Sequence, residues 1–161
     1  MTQANSTNIV LRHAVESDVP EIVSLINRAF AVEHFFKSGD RIDETRVRSN
    51  MQNGSFLLLC EQQKLVACAW VKLTGNRAYL GTLSVEPSRQ KSGLGTWLMK
   101  AAEAYARDAG CRALDIRIVN LRTELPRIYR KLGFVETGTE TAEPIPSVSQ
   151  PIHFILMSKA L

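Results

Sequence analysis

Long apolar runs are absent from this chain. No stretch approaches the ~18 residues that a bilayer-spanning helix requires, which argues against a helical membrane protein. Cysteine is scarce: Cys60, Cys68 and Cys111 form no C-x-x-C pair and each sits within an apolar run. That pattern argues against a disulfide framework and predicts buried free thiols in a reducing compartment. His13, His34 and His153 lie far apart without metal-ligand spacing, so no metal is expected. Aromatic residues make up only 7% of the chain, and its cationic residues are scattered rather than gathered into a stripe. A nucleic-acid partner is therefore not expected. The opening "MTQANSTN" is polar and predicts no signal peptide, which points to a cytoplasmic protein.

What is present is an ordinary globular composition, 45% hydrophobic and 22% charged over 161 residues. That length suits one domain, 1–161, with a sizeable core. The net charge of +4 is what a protein holding a polyphosphate ligand would show. "NIVLRHAV" (8–15) reads as a first strand. A helix follows with Asp18 as its cap, Pro20 in the first turn, Glu21 completing a capping box, and Val19, Ile22, Val23, Ile26 and Phe30 at helical spacing. A weaker helix spans about Asp43 to Asn53 and stops at Gly54. Runs 55–60, 65–73 and 78–85, parted by "EQQK" and "TGNR", predict an antiparallel meander.

A long helix over about 93–109 presents Leu94, Leu98, Ala101 and Tyr105 as its buried stripe and stops at Gly110. "RALDIRIVN" (112–120) alternates as a strand, parallel to 78–85 because a helix separates the two. A helix over 124–132 is capped by Thr123, carries Pro126 where no intrahelical N–H is needed, and stops at Gly133. A short strand (134–137), a Pro-rich loop (138–150) and a last strand (152–158) complete the chain. The predicted class is α/β. One mixed, mostly antiparallel sheet of about seven strands is flanked by about four helices, in the order β-α-α-β-β-β-α-β-α-β-β.

The segment "LSVEPSRQKSGLGTWLMKAAEAYA" (83–106) carries the chemistry. A strand stops at Pro87, a polar loop with Gly93 and Gly95 follows, and a helix begins at once, an arrangement suited to phosphate. The P-loop pattern G-x-x-x-x-G-K-[ST] is missing, and the dinucleotide fingerprint fails because Leu98 stands where its third glycine belongs. Gln90-Lys91-Ser92-Gly93-Leu94-Gly95 instead matches [QR]-x-x-G-x-[GA]. With Asn120 ending the next strand and "IYRKLGFVETG" (128–138) beyond it, the chain resembles the GNAT superfamily of N-acetyltransferases, most clearly over 78–138.

The resemblance implies acetyl-CoA as co-substrate and transfer of its acetyl group to a primary amine in a ternary complex. It further implies that backbone at 91–96 seats the diphosphate, with Ser92, Thr96 and Lys91 or Arg89 assisting. Ser92 departs from the basic residue common at that position in the superfamily, and Lys91 lies one place earlier. Leu83, Ser84 and Val85 would meet the pantetheine where the parallel strands splay. Asn120 would bond the pantetheine or order the next loop. Tyr129 would be the acid that protonates the leaving thiolate, the alternative being that it packs with Leu132 and Phe134. The acceptor would lie between 30–41 and the loop 138–150. Glu33, His34, Phe35, Arg41 and His153 are candidates for that side, Phe35 and Phe36 forming either an apolar wall or a cap on the core. For the base, Glu33, His34, Glu86, His153 and a water chain all stand open. A small amine or amino acid is the first choice of acceptor and a protein amine the second. The resemblance allows a homodimer. A non-catalytic acyl-CoA sensor is the competing function, and retention of Tyr129 argues against it.

Overall fold

The computed structural model describes residues 8–161; the polar opening segment, residues 1–7, lies outside them. Among the described residues seven strands form one sheet in the order β1-β2-β3-β4-β5-β7-β6. They are β1 (Ile9–His13), β2 (Ser55–Glu61), β3 (Lys64–Thr74), β4 (Arg77–Val85), β5 (Ala113–Val119), β6 (Val135–Thr141) and β7 (His153–Ala160). Among the described strands only β4 and β5 are parallel, as the helix between them predicts. Among the described residues four α-helices cover the sheet: α1 (Val19–Ala29), α2 (Glu44–Asn53), α3 (Leu94–Asp108) and α4 (Leu125–Lys131). Class, element order and the parallel pair agree with the sequence expectation.

Strand alternation divides the core into two layers. Phe56, Leu58 and Cys60 of β2 pack with Val19, Ile22, Leu25 and Ile26 of α1. Leu57 and Leu59 point the opposite way, into a layer with Leu94, Leu98, Met99 and Ala102 of α3. All three cysteines are free and buried. Cys68, wholly enclosed, has its thiol pushed up to about 12 by burial, against a hydrogen bond with Ser84.

Several local expectations are corrected. Asp18 occupies the N-cap position of α1 as expected, but it also closes a 3-10 turn, Glu16–Asp18, and makes no side-chain cap bond to the helix. Its carboxylate instead reaches back to the Val15 amide at 2.7 Å and grips the Arg12 guanidinium through two 2.8 Å bonds. Glu21 accepts from the Leu65 amide, joining helix to sheet rather than closing a capping box. The buried stripe of α3 is centred on Leu98, Met99, Ala102 and Ala106, leaving Ala101 and Tyr105 at its edges. Thr123 does not cap α4, whose N-cap is Glu124 without a side-chain bond, and Pro126 falls at the second helical position. β6 runs four residues past the expected end at 137. Its side chains are exposed throughout, so no alternation of polarity marks it in the sequence.

Candidate active site

The site begins with a bulge. Between the pairs Cys68–Ser84 and Trp70–Gly81 the register slips by one, so Ala69 of β3 faces both Thr82 and Leu83 of β4. Thr82 adopts φ of 49°, a left-handed conformation that a β-branched residue rarely takes. Its buried hydroxyl has no partner among the described residues. An inserted residue inverts the side-chain parity downstream. Leu80 before the bulge and Leu83 and Val85 after it therefore all belong to the α3 layer. Ser84, expected at the cofactor, turns its side chain to the opposite face, where its hydroxyl donates to the Thr82 carbonyl at 2.8 Å.

Beyond the bulge the parallel strands part. β4 and β5 pair only from Arg77 to Tyr79, opposite Ala113 to Asp115, yet continue to Val85 and Val119. The Glu86 amide donates to Val66 of β3 at 2.8 Å. By alternation the amides of Leu83 and Val85 face the other, unpaired edge.

The loop closes one end of this gap. Gly93 has φ of 89° and Lys91 φ of 64°, so the chain turns sharply into α3. Among the described residues the amides of 91–96 find no acceptor, as expected of a helix start without a side-chain cap. A Cβ on Gly93 would meet nothing within 4 Å, so its dihedral is what calls for glycine. Gly95 is different: it lines the cleft, and a Cβ there would lie an ordinary 3.7 Å from Val85 while narrowing the opening. Ser92 donates its hydroxyl to the Arg89 carbonyl, Arg89 is paired with Glu61, and Lys91 stays exposed. Leu94 sends its side chain into the core, leaving only its amide to the loop.

The resulting cleft holds about 300 Å³. Leu83 and Val85 form its floor and Gln90, Gly95 and Thr96 the loop end. One wall is Leu125, Ile128, Tyr129 and Leu132 of the α4 segment, and Ala29, Phe30 and Arg122 complete it. The wall residues recur at i, i+3, i+4, i+7, a stripe legible in the sequence but unread there. Ile128, 48% exposed, betrays that this stripe faces an opening rather than core.

Tyr129 sits edge-on to Phe134, ring centroids 5.5 Å apart, and its carbonyl accepts from the amides of Leu132 and Phe134. Burial pushes its phenol up to about 12, opposed by the nearby Arg122 cation and slightly helped by Tyr79. The hydroxyl is thus a proton donor throughout the neutral range. Asn120 does not reach the cleft: its carbonyl oxygen accepts from the His153 amide at 2.8 Å and pins β7 to the end of β5.

The acceptor candidates separate. Glu33 is 4% exposed and accepts from Arg41 at 3.1 Å and Arg122 at 3.0 Å, so it holds cations instead of facing the opening. Arg41 lies 4.5 Å over the Phe30 ring. His34, Phe35 and His153 are exposed and do not line the cleft, whereas Phe36 is buried. Glu86 pairs with Arg28 at the outer end of β4. Loops 30–41 and 138–150 do meet, through an antiparallel bridge between Lys37 and Val148. Arg122 was missed, since nothing local in "VNLRTEL" marks it.

A mixed sheet split between its two parallel strands, with a glycine-bounded helix start at the mouth of the split, is the architecture of an acetyltransferase domain. The family described as "Acetyltransferase (GNAT) family" matches residues 19–134, and the chain belongs to it. Among curated proteins, streptothricin acetyltransferase of Streptomyces lavendulae is 28% identical over 82 residues, 51% of this chain and 43% of that protein. The match thus spans less than half of that relative. The ribosomal-protein-S18-alanine N-acetyltransferase of Escherichia coli superimposes with a TM-score of 0.79 at 20% identity, covering 94% of this chain and 93% of that one. A nourseothricin acetyltransferase gives 0.74 at 18% identity over 96% and 99%. At those identities the structures establish the fold alone. No helix among the described residues is long and apolar enough to cross a membrane.

Proposed function

We propose that this protein transfers an acetyl group from acetyl-CoA to a primary amine, by direct attack within a ternary complex. The observation that carries the reading is the unpaired edge of β4 at Leu83 and Val85 lying in one cleft with Gly95 and Thr96, at the end of the run 91–96 whose amides are open. The residues fit the carrier. Bare amides at the start of a 15-residue helix offer donors and about half a positive charge to a diphosphate, with Thr96 beside them. The free edge of β4 offers a strand-like run of hydrogen bonds to the pantetheine amides.

Acetyl-CoA supplies the activated acyl group, and the chain supplies position, charge and a proton. An amide of β4 aimed at the thioester oxygen stabilises the developing oxyanion by roughly 3 kcal/mol. Holding the amine beside the thioester removes much of the remaining barrier. Tyr129 donates its proton to a thiolate whose conjugate thiol titrates at about 8.5, a contribution of ~10²–10⁴-fold. None of Glu33, His34, Glu86 and His153 lines the cleft, which favours removal of the ammonium proton through water. The streptothricin acetyltransferase likeness supports a small amine or amino acid as acceptor.

The test is release of free thiol from acetyl-CoA with a panel of amines, alongside binding of CoA. Thiol release for at least one acceptor is expected. CoA binding without release for any amine would replace the transferase by an acyl-CoA sensor.

A further inference from the structure

We propose that Arg122 selects the acceptor by pairing with a carboxylate carried next to the amine, so that the substrates are free amino acids. This deepens the transferase reading above and rests on it. Arg122 is the only charged side chain among those lining the cleft, whose walls are otherwise apolar or neutral. It is held on two edges: Nε donates to Glu124 at 2.9 Å and Nη1 to Glu33 at 3.0 Å. Its second terminal nitrogen, Nη2, has no partner among the described residues, although the side chain is only 14% exposed.

A guanidinium fixed in this way keeps unspent donors in a planar fork, and a carboxylate is the group that satisfies them best. The fixing is itself buttressed, because Glu33 also accepts from Arg41, which stacks on Phe30 of the same cleft. Of the two counter-charges, Glu33 is shared with Arg41 and Glu124 is half exposed and screened, so the cluster carries net positive charge at the cleft. That charge disfavours a second cation on the acceptor and also favours the neutral, nucleophilic form of an adjacent amine. Polyamines and protein lysines lack the compensating anion; a free α-amino acid has it.

Two measurements test the assignment. The first compares thiol release from acetyl-CoA with free L-amino acids, their carboxamides and the corresponding decarboxylated amines, for the unaltered protein, Arg122→Gln and Arg122→Lys. The second measures binding of N-acetyl amino acids and their carboxamides to the CoA-loaded unaltered protein by calorimetry, which needs neither turnover nor a variant. The unaltered protein should favour acids over carboxamides by 10²-fold or more in kcat/KM and in product affinity. That ratio should fall toward unity in Arg122→Gln and be partly kept in Arg122→Lys. Equal use of acids and carboxamides, a ratio that survives Arg122→Gln, or a loss in Arg122→Gln of CoA affinity instead of acid preference would each overturn the proposal. Tight, carboxylate-dependent binding of N-acetyl amino acids with no thiol release from any amine would sink the transferase reading and leave the Arg122 site standing.

Discussion

Glu33 and Arg122 are 89 positions apart in the chain, and their side chains meet at 3.0 Å. This contact ties the segment after α1 to the loop before α4, and Arg41 shares the same carboxylate. Replacing Glu33 by Gln strips the buried counter-charge from two guanidinium groups at once. The expected loss is about 2–3 kcal/mol, read as a lower urea midpoint with an unchanged slope. A midpoint that stays put would mean the network adds nothing to stability.

Tyr129→Phe separates chemistry from packing. The hydroxyl has no hydrogen-bond partner among the described residues, while the ring packs edge-on to Phe134. Stability should change by less than about 0.5 kcal/mol, and CoA affinity should hold. Turnover should fall by ~10²–10⁴-fold if the phenol protonates the thiolate. Unchanged turnover would reduce Tyr129 to a packing residue.

The two loop glycines should fail in different ways. Gly93→Ala forces a side chain into φ of 89° and costs about 1 kcal/mol or more of stability. Gly95→Leu lies inside a helix with only Val85 nearby, so the fold should survive. The leucine would fill the mouth of the cleft, and CoA affinity should drop at least tenfold. Thermal melts and CoA titration of the two variants distinguish a dihedral requirement from an access requirement.

Acid should expose the link between β1 and α1. Two bonds from the Arg12 guanidinium and one from the Val15 amide hold the Asp18 carboxyl below its ordinary 3.8, against the opposing effect of burial. A carboxyl whose pKa is depressed on folding binds fewer protons in the native state. Its contribution is complete above 3.8 and is lost as pH falls from there through the folded value. Stability measured between pH 6 and 2 should therefore fall less steeply in Asp18→Asn, which starts about 1–2 kcal/mol lower at neutral pH. Parallel curves would exclude the link.

The split between what was legible and what was not follows the range of the interactions. The loop before α3 could be read because its elements are consecutive: a strand ended by Pro87, a turn with Gly93, and a helix start. The same holds for the meander, the alternation of β5 and the helical spacing of α1. Edge strand β6 was expected but cut short at 137, because it buries neither face and no pattern of polarity marks its length. Thr123 lost the cap of α4 to Glu124, a choice made within one or two residues by the turn preceding the helix.

By itself the sequence determined the element order, the parallel pair and the loop, because hydrophobic period and backbone dihedral preference act between near neighbours. Tertiary structure decided which residues share the cleft. A single bulge at Thr82 and Leu83 reversed the parity of β4, turning Ser84 away and Leu83 and Val85 inward. Asn120 was drawn to the start of β7, and Glu33 was buried beneath Arg122. Those outcomes hang on register and on charge pairs closed across the fold, and neither leaves a trace in the residues adjacent along the chain.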